Sequence, residues 1–352
     1  MRSLVRWVLP VLVFFALVGP AAAARGVEIG INYNWWKFGL TSLHECRVEK
    51  QPRSAGSWIL PAYQRPAVRA TVREQLRAMR GAGFTAMRII VFYGHSSEAD
   101  ASAFTSMTGN VSSGDTDKLR AFVGDIAAAG FRSLEVVPDF GAENWLYCRH
   151  RRWGDCFDTA RTDENWRFIA QITQTAMAAA GAVPVRVDIA NEAAPDPRMP
   201  ARTLAHAKTY LQTIAGRFDA RFGPRWVISA ARSAASPATE TQDRIDLLVA
   251  DLAAAHITPT YLELHDYSLD GNDMKMSLDT MQAIAERIGA HVILGELAYH
   301  SAVQASAISG WIERHPASRI VELAQWPEYD PTRVCAVDPT PPYTPGALGR
   351  II

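Results

Sequence analysis

The chain reads as an α/β protein, a (β/α)8 TIM barrel, and three observations predict it. Eight short β-branched runs alternate with seven amphipathic helical patterns from Val27 onward. Most of these runs are almost continuously apolar, as parallel strands covered on both faces require. The first run is followed by Tyr33-Asn34-Trp35-Trp36 and not by a glycine-rich phosphate loop, which argues against a doubly wound sheet.

Taken in order, the strand runs are Val27 to Asn32, Ala86 to Phe92, Ser133 to Pro138, Val185 to Ala190, Trp226 to Ala230, Tyr261 to His265, His291 to Leu297 and Ile320 to Gln325. Between them, Val68, Val72, Leu76 and Met79 recur at helical spacing. So do Leu119, Phe122, Val123 and Ile126, then Phe168, Ile169 and Ile172, then Leu211, Ile214 and Phe218. Gly81-Ala82-Gly83-Phe84 and Ala128-Ala129-Gly130-Phe131 are small-residue stops leading into the next strand. After the eighth run, residues 331–352 are proline-rich and carry no helical period. The eighth helix is therefore expected to be absent, its place taken by a tail wrapping the barrel. Connections after strands one, two and three are long, roughly 20–30 residues each against a usual handful. They carry Trp35, Trp36, Trp58, Tyr63, Tyr93, Trp145, Tyr147 and Trp153, and in a barrel they emerge on one face as the wall of a cleft.

Composition narrows the class. The chain is 352 residues, 48% hydrophobic and 20% charged, which suffices for a packed core and excludes disorder. Its 36 Lys+Arg balance 36 Asp+Glu, so the phosphate-neutralising excess of a nucleic-acid binder is missing. Arg2 and Arg6, an apolar run from Trp7 to Val18 and Ala22-Ala23-Ala24 make residues 1–24 a secretory signal peptide. Residues 25–352 then form a single catalytic barrel domain, with 34 basic against 36 acidic residues. The leading apolar run is short for a membrane span and no later stretch is long enough. A soluble monomer, exported to the periplasm or the extracellular space, is expected. There Cys46, Cys148, Cys156 and Cys335 should form disulfides, since none has metal-ligand spacing. Cys148 and Cys156 share the loop after strand three. Cys46 follows strand one and Cys335 strand eight, neighbours in a closed barrel, so the expected pairs are Cys46–Cys335 and Cys148–Cys156.

The strongest chemical signal is positional. Strand four runs into Asn191-Glu192, and strand seven ends at Glu296. Both carboxylates are thereby aimed into the barrel mouth. A glutamate closing an apolar strand is expensive to bury unless it is paired. Two that face each other suit glycoside hydrolysis, one as acid/base and one as nucleophile. His265 and Tyr267, two apart, point to one side of strand six. Asp188 alternates with Ile189 as an inward-facing support. Glu263 and Asp266 are expected to face the helical layer or solvent, and His95 and His300 join no constellation.

These residues resemble the clan A retaining glycoside hydrolases, most closely the cellulase-like glycoside hydrolase family 5. Gly83-Phe84-Thr85-Ala86-Met87-Arg88-Ile89 looks like that family's second-strand motif, which implies that Arg88 braces the nucleophile. Asn191-Glu192 is similar to the Asn-Glu at its strand four, implying that Glu192 is the acid/base and that Asn191 contacts the sugar 2-hydroxyl. His265-Asp266-Tyr267 resembles its His-x-Tyr, with Tyr267 beside the nucleophile. Glu296 falls at the nucleophile position, and Trp326 at that of a sugar-stacking tryptophan after strand eight. The chain departs from the pattern at the end of strand three, where Asp139 is the nearest polar residue to the family's histidine, and at Leu297.

The resemblance implies cleavage of a β-linked poly- or oligosaccharide by double displacement, with no cofactor or metal. Glu192 is expected to be held protonated by burial and by a second carboxylate; Glu296 is expected to stay ionised beside Arg88 and Tyr267. Two alternatives make different demands. A non-catalytic carbohydrate-binding barrel would lack one carboxylate, and both are present. A metal-dependent barrel hydrolase commonly wants His-x-His on strand one, where Gly30-Ile31-Asn32-Tyr33-Asn34 stands.

Overall fold

In a computed structural model, residues 26–35, 38–39, 58–94, 104–106, 108–140, 159–232, 238–267, 270–297, 302–326 and 336–337 are described. Eight parallel strands close into a barrel: β1 Glu28–Asn32, β2 Ala86–Gly94, β3 Ser133–Asp139, β4 Val185–Asp188, β5 Trp226–Arg232, β6 Tyr261–Asp266, β7 His291–Leu297 and β8 Ile320–Gln325. Each pairs in parallel with its neighbours in chain order, and β1 pairs with both β8 and β2 to complete the ring. The helices among the described residues are α1 Ile59–Ala62, α2 Pro66–Gly81, α3 Ser113–Ala128, α4 Thr159–Ala180, α5 Ala201–Phe222, α6 Ala238–Ala254, α7 Gly271–Ile288 and α8 Ala302–Arg314.

The helical spacing read from the sequence is the buried face of each helix. Val68, Val72, Leu76 and Met79 of α2 and Leu119, Phe122, Val123 and Ile126 of α3 join one core with Ile29, Ile31, Met87, Ile89 and Val136 of the strands. The two small-residue stops turn at Gly83 and Gly130, both at positive φ (101° and 88°), which a side chain would resist.

Two expectations need correction. The strands were read as apolar on both faces, yet the inner face is mixed, with Ile90, Val137, Val227 and Ile293 sharing it with polar and charged groups. Inside the barrel stand Asn32, Arg88, Glu135, Arg186, Asp188, Glu263, His265, Glu296 and Glu322, all buried. Strand four was expected to continue to Ala190, but β4 ends at Asp188, and Asn191-Glu192 sit in the turn beyond it. Period-2 alternation hides a charged inner row inside a run whose outer row is Val or Ile.

The first long loop is closed at its base by an antiparallel bridge between Trp35 and Trp58 and by Ile59 N–H donating to the Asn34 carbonyl at 3.0 Å. Phe38–Gly39, after β1, pairs antiparallel with Ala336–Val337, after β8. The four cysteines, residues 1–24, the proline-rich tail beyond Val337, and Trp36, Trp145, Tyr147, Trp153, His95 and His300 lie outside the described residues. Among the described residues no helix is long and apolar enough to cross a membrane.

Candidate active site

Register assembles the site. Asn32, Arg88 and Glu135 are level on β1, β2 and β3, and His265 is level with Glu296 on β6 and β7. The last pairing exists because β7 carries one extra residue, Gly295, between Leu294 and Glu296. A Cβ at Gly295 would overlap the Glu263 carboxylate, so only glycine fits.

Arg88 is fully buried at the centre. Its Nη1 donates to Glu296 Oε1 at 2.6 Å and to Asn32 Oδ1 at 3.0 Å. Its Nη2 donates to Asn191 Oδ1 at 2.8 Å, and its Nε to Glu135 Oε1 at 2.7 Å, with Glu263 Oε1 at 3.2 Å. Glu296 Oε2 accepts from the Tyr267 hydroxyl and, at 3.0 Å, from Trp326 Nε1. Asn191 Nδ2 donates to Asp139 at 3.2 Å, so Asp139 at the end of β3 orients the asparagine.

Glu192 projects from the turn after β4 with φ 54°, in the left-handed region that non-glycine residues seldom occupy. Its N–H donates to Ser229 Oγ at 2.6 Å. That hydroxyl donates to Asp188 Oδ2 at 2.8 Å, and Asp188 Oδ1 accepts the Ala190 N–H at 3.1 Å. Arg244 of α6 donates to the carbonyls of Glu192 at 3.4 Å and Ala194 at 2.8 Å. These bonds hold the strained turn, and the Glu192 side chain is 41% exposed to the mouth while that of Glu296 is 5% exposed.

His265 lies between them. Its Nδ1 is 3.0 Å from Glu192 Oε1 and 3.4 Å from Glu296 Oε1, and its Nε2 is 3.0 Å from Glu263 Oε1. Burial opposes a charge on this ring, but Glu296, Glu192 and Glu263 outweigh it and push its pKa up to about 10. The two carboxylate contacts fit an imidazolium donating from Nδ1 to Glu192 and from Nε2 to Glu263, with Arg88 Nη2, 3.3 Å from Nε2, opposing the charge. Burial works to raise Glu192, yet the bond from His265 holds it below the ordinary carboxylate range. The expectation of a protonated Glu192 is corrected for the ligand-free protein: a cation, not a second carboxylate, is its nearest partner. Burial, and then the charge of Glu263, push Glu135 up to about 8 and Asp188 to about 7. Glu263 is itself lowered, against burial, by Arg88 and His265.

Asp188, Glu263 and His265, and likewise Glu192, His265 and Glu296, present ligand atoms within 4.8 Å of one another, the grouping a divalent cation would take. Arg88 already stands 3.2 Å from Glu263, 3.6 Å from Asp188 and 2.6 Å from Glu296, so these carboxylates have a cation in the place a metal would need.

All seven residues singled out in sequence meet at one end of the barrel: Arg88, Asn191, Glu192, His265, Tyr267, Glu296 and Trp326. Trp326 also meets Trp35 at 5.5 Å in a tilted contact, Trp35 meets Trp58 at 5.0 Å, and Trp58 meets Phe92 edge-on at 4.9 Å. Trp326 and Trp35 keep part of their surface exposed, while Trp58 is buried behind them. Tyr63 and Tyr93, expected in the wall, are buried instead and donate to Asp125 at 2.7 Å and to Glu164 at 2.5 Å. Sequence reasoning missed Glu135, Ser229, Arg244 and Asn32 and misplaced Glu263. The signal for Glu263 was present: two residues from His265, it must share its face. Asp266, one residue beyond His265 and so on the opposite face, is buried, as its helical-layer expectation requires.

No family model matches the chain, and no curated protein matches it in sequence. Solved structures do match in fold. An endo-1,4-beta-mannanase from Rhizomucor miehei superposes with a TM-score of 0.57 at 12% identity, over 92% of this chain and 94% of that one. A GH5-4 broad specificity endoglucanase from an uncultured bacterium gives 0.56 at 12% identity, over 94% and 95%. A beta-mannanase from the blue mussel Mytilus edulis gives 0.53 at 12% identity, over 91% of each chain. At such identities the likeness is one of fold.

Proposed function

We propose that this protein is an exported, retaining glycoside hydrolase of the clan A type, nearest family 5, that cleaves β-linked poly- or oligosaccharides as a monomer. The observation that carries the reading is the convergence of the two glutamates on one ring nitrogen: Glu192 Oε1 lies 3.0 Å and Glu296 Oε1 3.4 Å from His265 Nδ1. Carboxyl groups brought this close favour the retaining arrangement, since an inverting pair stands farther apart to admit a water. The mannanases and the endoglucanase that share the fold act on glycans by name, which supports the substrate class.

In this reading Glu296 attacks the anomeric carbon, kept anionic and aimed by Arg88, Tyr267 and Trp326 Nε1. Glu192 protonates the departing oxygen and then activates water against the glycosyl-enzyme. Asn191, fixed between Arg88 and Asp139, faces the sugar 2-hydroxyl, and the Trp326–Trp35 faces take the sugar rings. The double displacement calls for neither cofactor nor metal. The signal peptide at residues 1–24 and the pairs Cys46–Cys335 and Cys148–Cys156 belong to the same proposal. The pairing of Phe38–Gly39 with Ala336–Val337 brings the first and last loops side by side, as Cys46–Cys335 needs.

The test is chemical rescue after a screen across β-glucans, mannans, xylans and bacterial exopolysaccharides. Glu296→Ala should lose turnover on every substrate by about 10⁴-fold or more, with azide restoring a product of inverted configuration. Glu192→Ala should keep activity on aryl glycosides with good leaving groups, and azide should there give a retained product. Two mutants that behave alike, or an inverted product from the wild type, would overturn the assignment.

A further inference from the structure

The site holds a buried acid that double displacement does not require. Glu263 touches no space open to substrate: it is 1% exposed, beneath His265 and beside Arg88. The fold nonetheless makes room for it, since β7 widens by one residue and places glycine where any side chain would strike its carboxylate. Glu192, for its part, has one proton donor within hydrogen-bond distance of its carboxylate among the described residues, His265 Nδ1 at 3.0 Å.

We infer that Glu263 is a positioning residue: by holding His265 doubly protonated, it makes that ring the store of the proton Glu192 delivers to the leaving oxygen. The inference rests on the function proposed above. The groups facing His265 are Glu263 on its own strand, Glu296 on β7, Arg88 on β2, and Asp188 and Glu192 on and after β4. Glu135 on β3 faces Glu263 from the other side of Arg88. In the free protein the pair carries one transferable proton, as imidazolium and carboxylate. As the Glu296–carbon bond forms and the glycosidic C–O bond breaks in one displacement, the charge of Glu296 is consumed and the ring loses the carboxylate that most favours its charged form. In that same step the proton passes from Nδ1 to Glu192, whose carboxyl turns about its soft terminal torsion and gives it to the glycosidic oxygen, which takes the electron pair of the breaking bond. In the second half, water attacks the anomeric carbon and the pair of the Glu296–carbon bond returns to Glu296. Glu192 takes the proton from water and hands it back to Nδ1.

The experiment is a 15N-histidine NMR titration of the ligand-free full chain, with His265→Asn assigning the signal. Both ring nitrogens should be protonated at pH 8, and the ring should neutralise only near pH 10. A neutral ring at pH 7 overturns the inference without any engineered variant of Glu263. In Glu263→Gln the midpoint should fall by about 1–3 pH units. The alkaline limb of kcat/KM on an alkyl glycoside should fall with it, while an aryl glycoside with a good leaving group keeps its profile. Glu263→Asp should restore part of the shift. A moved midpoint with an unmoved alkaline limb shows that His265 is not the proton store. A charged ring in a protein that hydrolyses no glycoside overturns the proposed function and the delivery step together; a neutral ring in an active enzyme overturns this inference alone.

Discussion

At the N-terminal end of the barrel interior Arg186 pairs with Glu322, with Glu28 at 3.9 Å and the Ser133 hydroxyl at 3.4 Å. At the C-terminal end Arg88 and His265 stand among Glu135, Asp188, Glu263, Glu296 and Glu192. Both clusters are an arginine among carboxylates inside one barrel, yet the second sets five acids against two cations where the first sets two against one, and only the second has a half-exposed member and a strained turn. The lower cluster lies away from the mouth, with its arginine shared among Glu322, Glu28 and the Ser133 hydroxyl. In the upper one burial, and then a surplus of negative charge, lifts Glu135 and Asp188 toward neutrality, and the same surplus keeps His265 charged against burial. A buried ion network is therefore best judged by its charge balance and by whether a member reaches the mouth, since buried pairing alone is weak evidence of any role.

The largest difference should appear on removing each arginine. Arg88→Met leaves several carboxylates without their cation and should cost about 3–5 kcal/mol in urea unfolding. Arg186→Met orphans chiefly Glu322 and should fall at or below the lower end of that range; equal losses would erase the distinction. Replacing the lower pair as a unit, Arg186→Met with Glu322→Leu, should be neutral or stabilising by up to about 4 kcal/mol, with turnover on the best substrate unchanged.

The pH dependence separates the clusters next. The folded pKa of His265 lies near 10 against an ordinary 6.5, so between these values the folded protein binds more protons than the unfolded chain. Its contribution is complete below about pH 6.5 and lost as pH rises toward about 10, on the order of a few kcal/mol. Urea midpoints across that window should fall in the wild type and fall less in His265→Asn. A flat wild-type profile would show that the ring is not charged. The smallest contrast concerns two hydroxyls. Ser229→Ala and Ser133→Ala each remove a hydroxyl that makes two bonds, about 1 kcal/mol per bond by thermal unfolding. Only Ser229→Ala, which frees the Glu192 turn, should lower kcat severalfold with KM little changed.

Much of the site was legible before any coordinates. Glu192, Glu296, His265, Tyr267 and Trp326 each follow or close a strand run, and in a parallel barrel every strand end of that kind opens on the same face; Arg88, inside its run, was legible from the motif around it. The lone charges inside apolar runs, Glu135, Arg186, Glu263 and Glu322, were equally visible, and period-2 alternation would have turned Glu263 inward with His265. Ser229 and Arg244 carried no local signal, because they act on Glu192 through the backbone of another loop.

By itself the sequence determined the fold class, the strand order and the end of the barrel where the two glutamates meet, because hydrophobic periodicity and chain order are local properties that a closed parallel sheet converts directly into position. Only the tertiary structure decided the charge states. That Glu192 is held ionised and His265 cationic depends on which of five carboxylates and two cations come within about 4 Å inside a low-dielectric barrel. That proximity is set by strand register, by the extra residue at Gly295 and by the left-handed turn at Glu192, none of which a linear pattern specifies.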